Sequence, residues 1–131
     1  MKRVFISQPM NGLSDEEIEK ARAETIRQIK EYFKDEEVEI ADSFFKGAPH
    51  DAKPLWFLGK SFEVLSTCDV AVFAGDWSDK RGCKMEFSAA CAYMIDTYQS
   101  LNGKIVQVCK HLGPEELAEM HKRFAEAEKE E

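Results

Sequence analysis

The chain has 131 residues, with 18 lysines and arginines against 25 aspartates and glutamates, for a net charge of −7. With 44% hydrophobic and 33% charged residues it reads as one soluble globular domain spanning 1–131, large enough to bury a core without disulfides or a metal. An acidic surface repels phosphate backbones, which excludes long DNA or RNA as a partner but leaves room for a small phosphorylated ligand held by a local basic or backbone-amide site.

Val4-Phe5-Ile6 is a short apolar run that stops at Ser7-Gln8-Pro9, the pattern of a first strand entering a turn. Ser14-Asp15-Glu16-Glu17 carries a capping box, and Ile18, Ala21, Thr25, Ile26, Ile29, Tyr32 and Phe33 follow at helical spacing, which predicts a helix over 15–34. Val38-Glu39-Ile40 is a second, half-exposed strand. Ser43 to Lys53, with Gly47 and Pro49, is a loop long enough to act as a lid. Pro54 suits the first turn of a helix reaching Thr67, with Leu55, Leu58, Phe62 and Leu65 inward. Val70 to Ala74 is apolar without alternation, as a strand covered on both faces requires.

Gly75 to Arg81 is a polar loop. The helix expected over 82–98 is apolar nearly all round, with Met85, Phe87, Cys91, Tyr93, Met94 and Ile95, which calls for a second protein surface and so for a homodimer or higher homo-oligomer. Ile105 to Val108 is the fourth strand, and Gly113-Pro114 opens a last helix with Leu117, Met120 and Phe124 as its apolar stripe. The acidic end, Glu126 to Glu131, reads as a solvated helix terminus.

The order β-α-β-α-β-α-β-α implies a three-layer α/β sandwich: a parallel sheet of four or five strands, order 2-1-3-4(-5), with helices on both faces. Ligands in such sheets bind beyond the carboxyl ends of the strands where the winding reverses, here between strands 1 and 3. The loops that meet there are Gln8 to Leu13 and Gly75 to Arg81.

No run approaches the ~18 apolar residues that span a bilayer, and the apolar stretch after Met1-Lys2-Arg3 is too short for a leader, so no membrane is involved and a cytoplasmic location is expected. Cys68, Cys83, Cys91 and Cys109 have no metal-ligand spacing and are expected as free thiols, with no metal and no cofactor.

In the first loop, Gln8, Pro9, Met10, Asn11 and Gly12 offer a donor, an acceptor and a glycine that permits close approach of a ligand. They fit an ordinary βα turn equally well. In the second, Trp77 could stack on a base or sugar or cover the core edge. Ser78 and the amides after it, with Lys80 or Arg81, could hold an anion, or Ser78 or Asp79 could cap a helix. Cys83 at a helix start is a candidate thiolate. Glu86 stands out: a carboxylate near a helix start in an otherwise apolar helix, where the dipole favours its ionised form and where it could attack an electrophilic carbon. As a plain surface residue it would pair with Lys84 or Arg81.

The segments Phe5-Ile6-Ser7-Gln8-Pro9-Met10-Asn11-Gly12 and Cys68-Asp69-Val70-Ala71-Val72-Phe73-Ala74-Gly75-Asp76-Trp77-Ser78, followed by Gly82 and Glu86 in a G-x-x-x-E spacing, resemble the nucleoside 2-deoxyribosyltransferase superfamily, in particular its small phage and bacterial branch. The resemblance extends over residues 3 to 109 in element order. It implies a flavodoxin-like fold and cleavage of the N-glycosidic bond of a 2′-deoxynucleoside or its 5′-monophosphate, without a cofactor. Glu86 matches the nucleophile, the Gln8 to Gly12 loop the sugar- and base-side loop, and Ser78 a serine near the phosphate. The resemblance also implies dimers or larger assemblies packed through the helix that carries the glutamate. Two positions depart from it. Gln8 stands where the family has glycine, and Ser61 where relatives carry an aspartate that protonates the leaving base, which leaves Asp76 and Asp79 as substitute acids. The competing reading is a nucleotide-binding module without catalysis.

Overall fold

The computed structural model of the chain describes residues 1–111 and 114–130. Its strands are β1 (Lys2–Ser7), β2 (Val38–Ile40), β3 (Val70–Phe73), β4 (Asp96–Leu101) and β5 (Lys104–Cys109). Its helices are α1 (Asp15–Tyr32), α2 (Pro54–Leu65), α3 (Arg81–Ala92) and α4 (Pro114–Glu130). The strands form one sheet in the order β2-β1-β3-β4-β5, the α/β architecture expected. β1 pairs in parallel with β2 and β3, and β3 with β4.

Strand alternation sorts the core into two layers. Val4, Ile6, Val70, Val72, Tyr98 and Ile105 meet Ile29 and Phe33 at one face, beneath α1. Phe5, Ala71 and Phe73 meet Leu65 and Ala90 at the other, beneath α2 and α3. α1 starts with the capping box read from Ser14 and Glu17, each side chain bonding the other's backbone N–H. In α2, Phe62 and Leu65 face the core as expected, but Leu55 is 75% exposed, while Pro54, Phe57 and Leu58 of the same turns line a cavity.

Two features differ from the sequence reading. The segment 82–98 is not one helix. It ends at Ala92, and Asp96–Leu101 is β4. Met94 takes a left-handed conformation (φ 64°), the N–H of Met94 bonds to Cys91 O, and the N–H of Ile95 bonds to Ala90 O at 2.8 Å. This is a Schellman stop with methionine where glycine is usual, so the sequence carries no visible punctuation. Most of the apolar surface of 82–98 is thereby covered within one chain: Phe87 packs on Phe73 and Trp77, and Ile95 joins the same cluster. Of its large apolar side chains only Met85, Tyr93 and Met94 stay exposed.

The second difference concerns direction. The strand expected at 105–108 is the fifth, and it runs antiparallel to β4, so the sheet is mostly rather than wholly parallel. Asn102-Gly103, both at positive φ (53° and 81°), form the two-residue turn that joins them, a pair suited to the right-handed twist of a hairpin. Gly113, the expected start of the last helix, and Glu131 lie outside the described residues. Among the described residues, no helix is long and apolar enough to cross a membrane.

A left-handed non-glycine residue costs roughly 1–2 kcal/mol, and Met94, 67% exposed, has little burial to lose. Met94→Gly is expected to raise the stability by about 0.5–1 kcal/mol after the extra entropy of glycine in the unfolded chain, read as a higher melting temperature. A lower melting temperature would contradict this account of the helix end.

Candidate functional site

The two loops predicted to meet do so. The chain leaves β1 at Ser7 and β3 at Phe73, and Ala74 N–H bonds to Ser7 O at 2.9 Å, which locks the strand ends side by side. Beyond them Gly75, at φ 67°, lies against the Pro9 ring. The backbone angle calls for glycine, and a Cβ there would press to 3.3 Å from Pro9 Cδ.

A cavity of about 610 Å³ opens at this end of the sheet. Its floor is the end of β1, its walls are the loop 43–52, α2 and the first turns of α3, and its residues include Ser7, Gln8, Asn11, Ser61, Lys80 and Glu86. Ser43 fastens the loop wall: its hydroxyl donates to Ile6 O at 2.8 Å and accepts from Arg22 Nη1 at 3.0 Å, while Arg22 Nη2 holds Ala41 O at 2.7 Å. This clamp presents Phe44 and Phe45 to the cavity.

Glu86 sits on α3 beneath the cavity, 9% exposed. Burial pushes its carboxyl up to about 7, and the Ser7 and Ser61 hydroxyls beside it pull the other way. Desolvation is the larger effect. Ser7 Oγ, only marginally within reach of Glu86, completes no hydrogen bond of normal geometry. Gln8 is similarly half-satisfied: its Nε2 donates to Ile18 O at 3.2 Å, and its Oε1 is buried without a partner. The Ile18 carbonyl can only accept, so it fixes the orientation of the amide. At the mouth, Lys80 and Arg81 flank the start of α3, where no side chain caps the backbone N–H groups.

Of the residues picked out in the sequence, Gln8, Pro9, Met10, Asn11, Gly82 and Glu86 line this cavity. Gly12, at φ 82°, serves the turn behind it and is not among the lining residues. Trp77 does not face a ligand: it stacks on Phe73 and Phe87, with centroids 5.0 and 4.9 Å away, and closes the core edge. Ser78 lies exposed in the single 3-10 turn Trp77–Asp79, outside the cavity wall. Asp76 and Asp79 are exposed and also outside it. Among the described residues, Glu86 is the only acid lining the cavity. Burial beside Glu86 pushes the Cys83 thiol up, which argues against a reactive thiolate. Asp42 lies in a neighbouring cavity with Arg22, and His50 and Asp51 are exposed.

The sequence reading did not pick out Ser7, Ser43, Phe44, Phe45, Phe57 and Leu58 as site residues. Ser7 had a signal: it is the last residue of β1, at the switch point. The aromatic wall had none, because only the Ser43 clamp turns that loop inward. Among the described residues no group of side chains could hold a metal ion, and the four cysteines are free. No protein-family model, curated protein or solved structure matches the chain.

Because the folded chain holds Glu86 near 7 rather than 4.5, it binds the proton that the unfolded chain has released between those values. Stability therefore falls as pH rises through that window. Glu86→Gln is expected to melt higher than wild type at pH ~8, by up to about 3 kcal/mol, and close to wild type at pH ~4. A difference independent of pH would mean that the carboxyl is not desolvated.

Proposed function

We propose that the chain cleaves or transfers the N-glycosidic bond of a 2′-deoxynucleoside or its 5′-monophosphate, with Glu86 as the nucleophile and no cofactor. A Glu86 carboxylate oxygen forms a bond to C1′ as the C1′–N bond breaks. The base leaves with the electron pair and takes up a proton. Water or a second base then attacks C1′ and frees Glu86. The observation that carries this reading is a buried carboxyl, set between two serine hydroxyls, at the floor of a 610 Å³ cavity at the switch point of the sheet. The likeness of the two loop segments to nucleoside 2-deoxyribosyltransferases supports the same chemistry. Gln8, Pro9, Met10, Asn11 and Gly82 are the substrate-binding set in this reading, and Lys80 and Arg81 are suited to a phosphate at the mouth. The free thiols agree with work in the cytoplasm. The exposed Met85, Tyr93 and Met94 support a homo-oligomer.

A second reading has its own observation. Glycosidases of this kind use two carboxyl groups, and this cavity is lined by one. We therefore keep a nucleotide-binding module without turnover as the alternative. Incubation with a panel of deoxynucleosides and their monophosphates, followed by chromatography for free base, separates the two. Base release that Glu86→Ala abolishes is the expected result. Calorimetric binding with no release would support the module instead.

If Glu86 attacks as the carboxylate, kcat/KM rises with pH through about 7 and levels off above it. A rate that falls through the same value would make Glu86 a proton donor and overturn its role as nucleophile.

Ser61 lies in the cavity wall against Glu86. Ser61→Asp is expected to place two carboxyls that cannot both ionise easily, one keeping its proton for the leaving base while the other attacks. Base release should rise, by up to roughly 10²-fold, with a bell-shaped pH profile, while a nitrophenyl deoxyriboside that needs no acid changes little. Unchanged rates on both substrates would show that protonation of the base does not limit this chain.

A further inference from the structure

The helical layers of the sandwich are unequal. α1 covers β5 on one face, where Ile105 is buried with Ile29 and Tyr98. On the other face α2 and α3 are packed over β1, β3 and β4, and among the described residues α1 is the one helix with extensive contact to β5. Val106, next to Ile105, points to that uncovered face by strand alternation and is 41% exposed. Val108, at the bulge of β5, is exposed to the same degree, and Leu101 before the turn is 49% exposed. α4 supplies the matching surface. Leu117, Met120 and Phe124 form one stripe, and every residue of α4 whose burial is described is exposed except Met120, which is half-buried. A 17-residue helix with an open apolar stripe is marginal in water by itself.

The charges match as well. α4 carries six glutamates against three basic residues, and Glu116 and Glu128 edge its stripe. β5 has no acidic residue and is bracketed by the exposed Lys104 and Lys110. Among the described residues, the open face of β5 and the exposed stripe of α4 are thus a matching pair that is not extensively joined within one chain.

We propose that two copies of the chain exchange α4, each laying its Leu117–Met120–Phe124 stripe over β5 of the other. The exchange is reciprocal, so the contact through α4 closes as a two-fold dimer. This contact is separate from the exposed end of α3.

Light scattering on the full chain, at micromolar concentration in low salt, is expected to give twice the 15.0 kDa chain mass. Phe124→Glu and Val106→Glu, on opposite sides of the contact, should each halve that mass. If circular dichroism shows that Val106→Glu fails to fold, the exposed pair Lys104→Glu and Lys110→Glu takes its place, and there too the mass should halve. Four outcomes overturn the proposal. One is a monomeric wild type with α4 amides unprotected from hydrogen exchange. Another is a monomer with protected α4 amides, which places the helix on its own chain. A third is a dimer that survives the variants on both sides. The last is dissociation by Phe124→Glu alone, which means that α4 pairs with α4.

Discussion

The parallel pairing of β1 with β3 is the constraint from which the other features follow. Val4, Phe5, Ile6 and Ser7 stand opposite Val70, Ala71, Val72 and Phe73, and all eight are buried. Two strands covered on both faces must be apolar at every position, and they can be joined in parallel only by helices that cross the sheet. One crossover runs over each face, so the winding reverses between these two strands, and their carboxyl ends open a crevice that no connection fills. The last polar residue of β1, Ser7, and the loop after β3 are placed in that crevice by topology before any chemistry is considered.

The positions of Glu86 and of the loop wall follow from that pair. Phe73 at the end of β3 receives Trp77 and Phe87, and this aromatic stack orients α3 so that Glu86, one residue before Phe87, turns toward β1. The same stack explains why Trp77 is not free to bind a ligand. On the opposite side, β1 reaches the loop through Ile6 O, which accepts from Ser43, and Arg22 holds the same serine from α1. Desolvation outweighs Asp42 at Arg22 and lowers its pKa, so the guanidinium sits partly buried at a cost that its bonds to Ser43 and Ala41 O offset.

The local and periodic features of the fold were legible in the sequence. The Ser14–Glu17 box, the apolar run at 70–74 and the Pro54 start each rest on a short-range rule, and each appears in the structure. What was hidden depended on a residue used against its type. Met94 fills a left-handed position usually given to glycine, so an apolar run containing a helix, a stop and a strand read as one helix. Asn102-Gly103 did carry a hairpin signal, but it was masked once β4 had been absorbed into that helix. The site was half legible for a similar reason. Glu86 and the Gln8 to Asn11 loop could be found from spacing, whereas the exclusion of Asp76 and Asp79 depends on which way a single 3-10 turn points, and no pattern in the residues encodes that.

The raised pKa of Glu86 looks unfavourable for a nucleophile, since burial holds back the ionised form that attacks. The reaction proposed here changes the balance, because C1′ gains positive charge as the base departs. A carboxylate buried from water attracts that charge more strongly than the same group at a surface would. Burial thus weakens the resting anion and strengthens its interaction in the transition state, the difference from which catalysis is made. The Ser7 and Ser61 hydroxyls temper the first effect. In the proposed reaction a serine at position 61 would have a function of its own: it would support one carboxylate as an anion, at the expense of a proton for the leaving base. On the proposed reaction, the site would favour substrates whose base can depart with help from solvent, which would enter at the mouth beside Lys80 and Arg81.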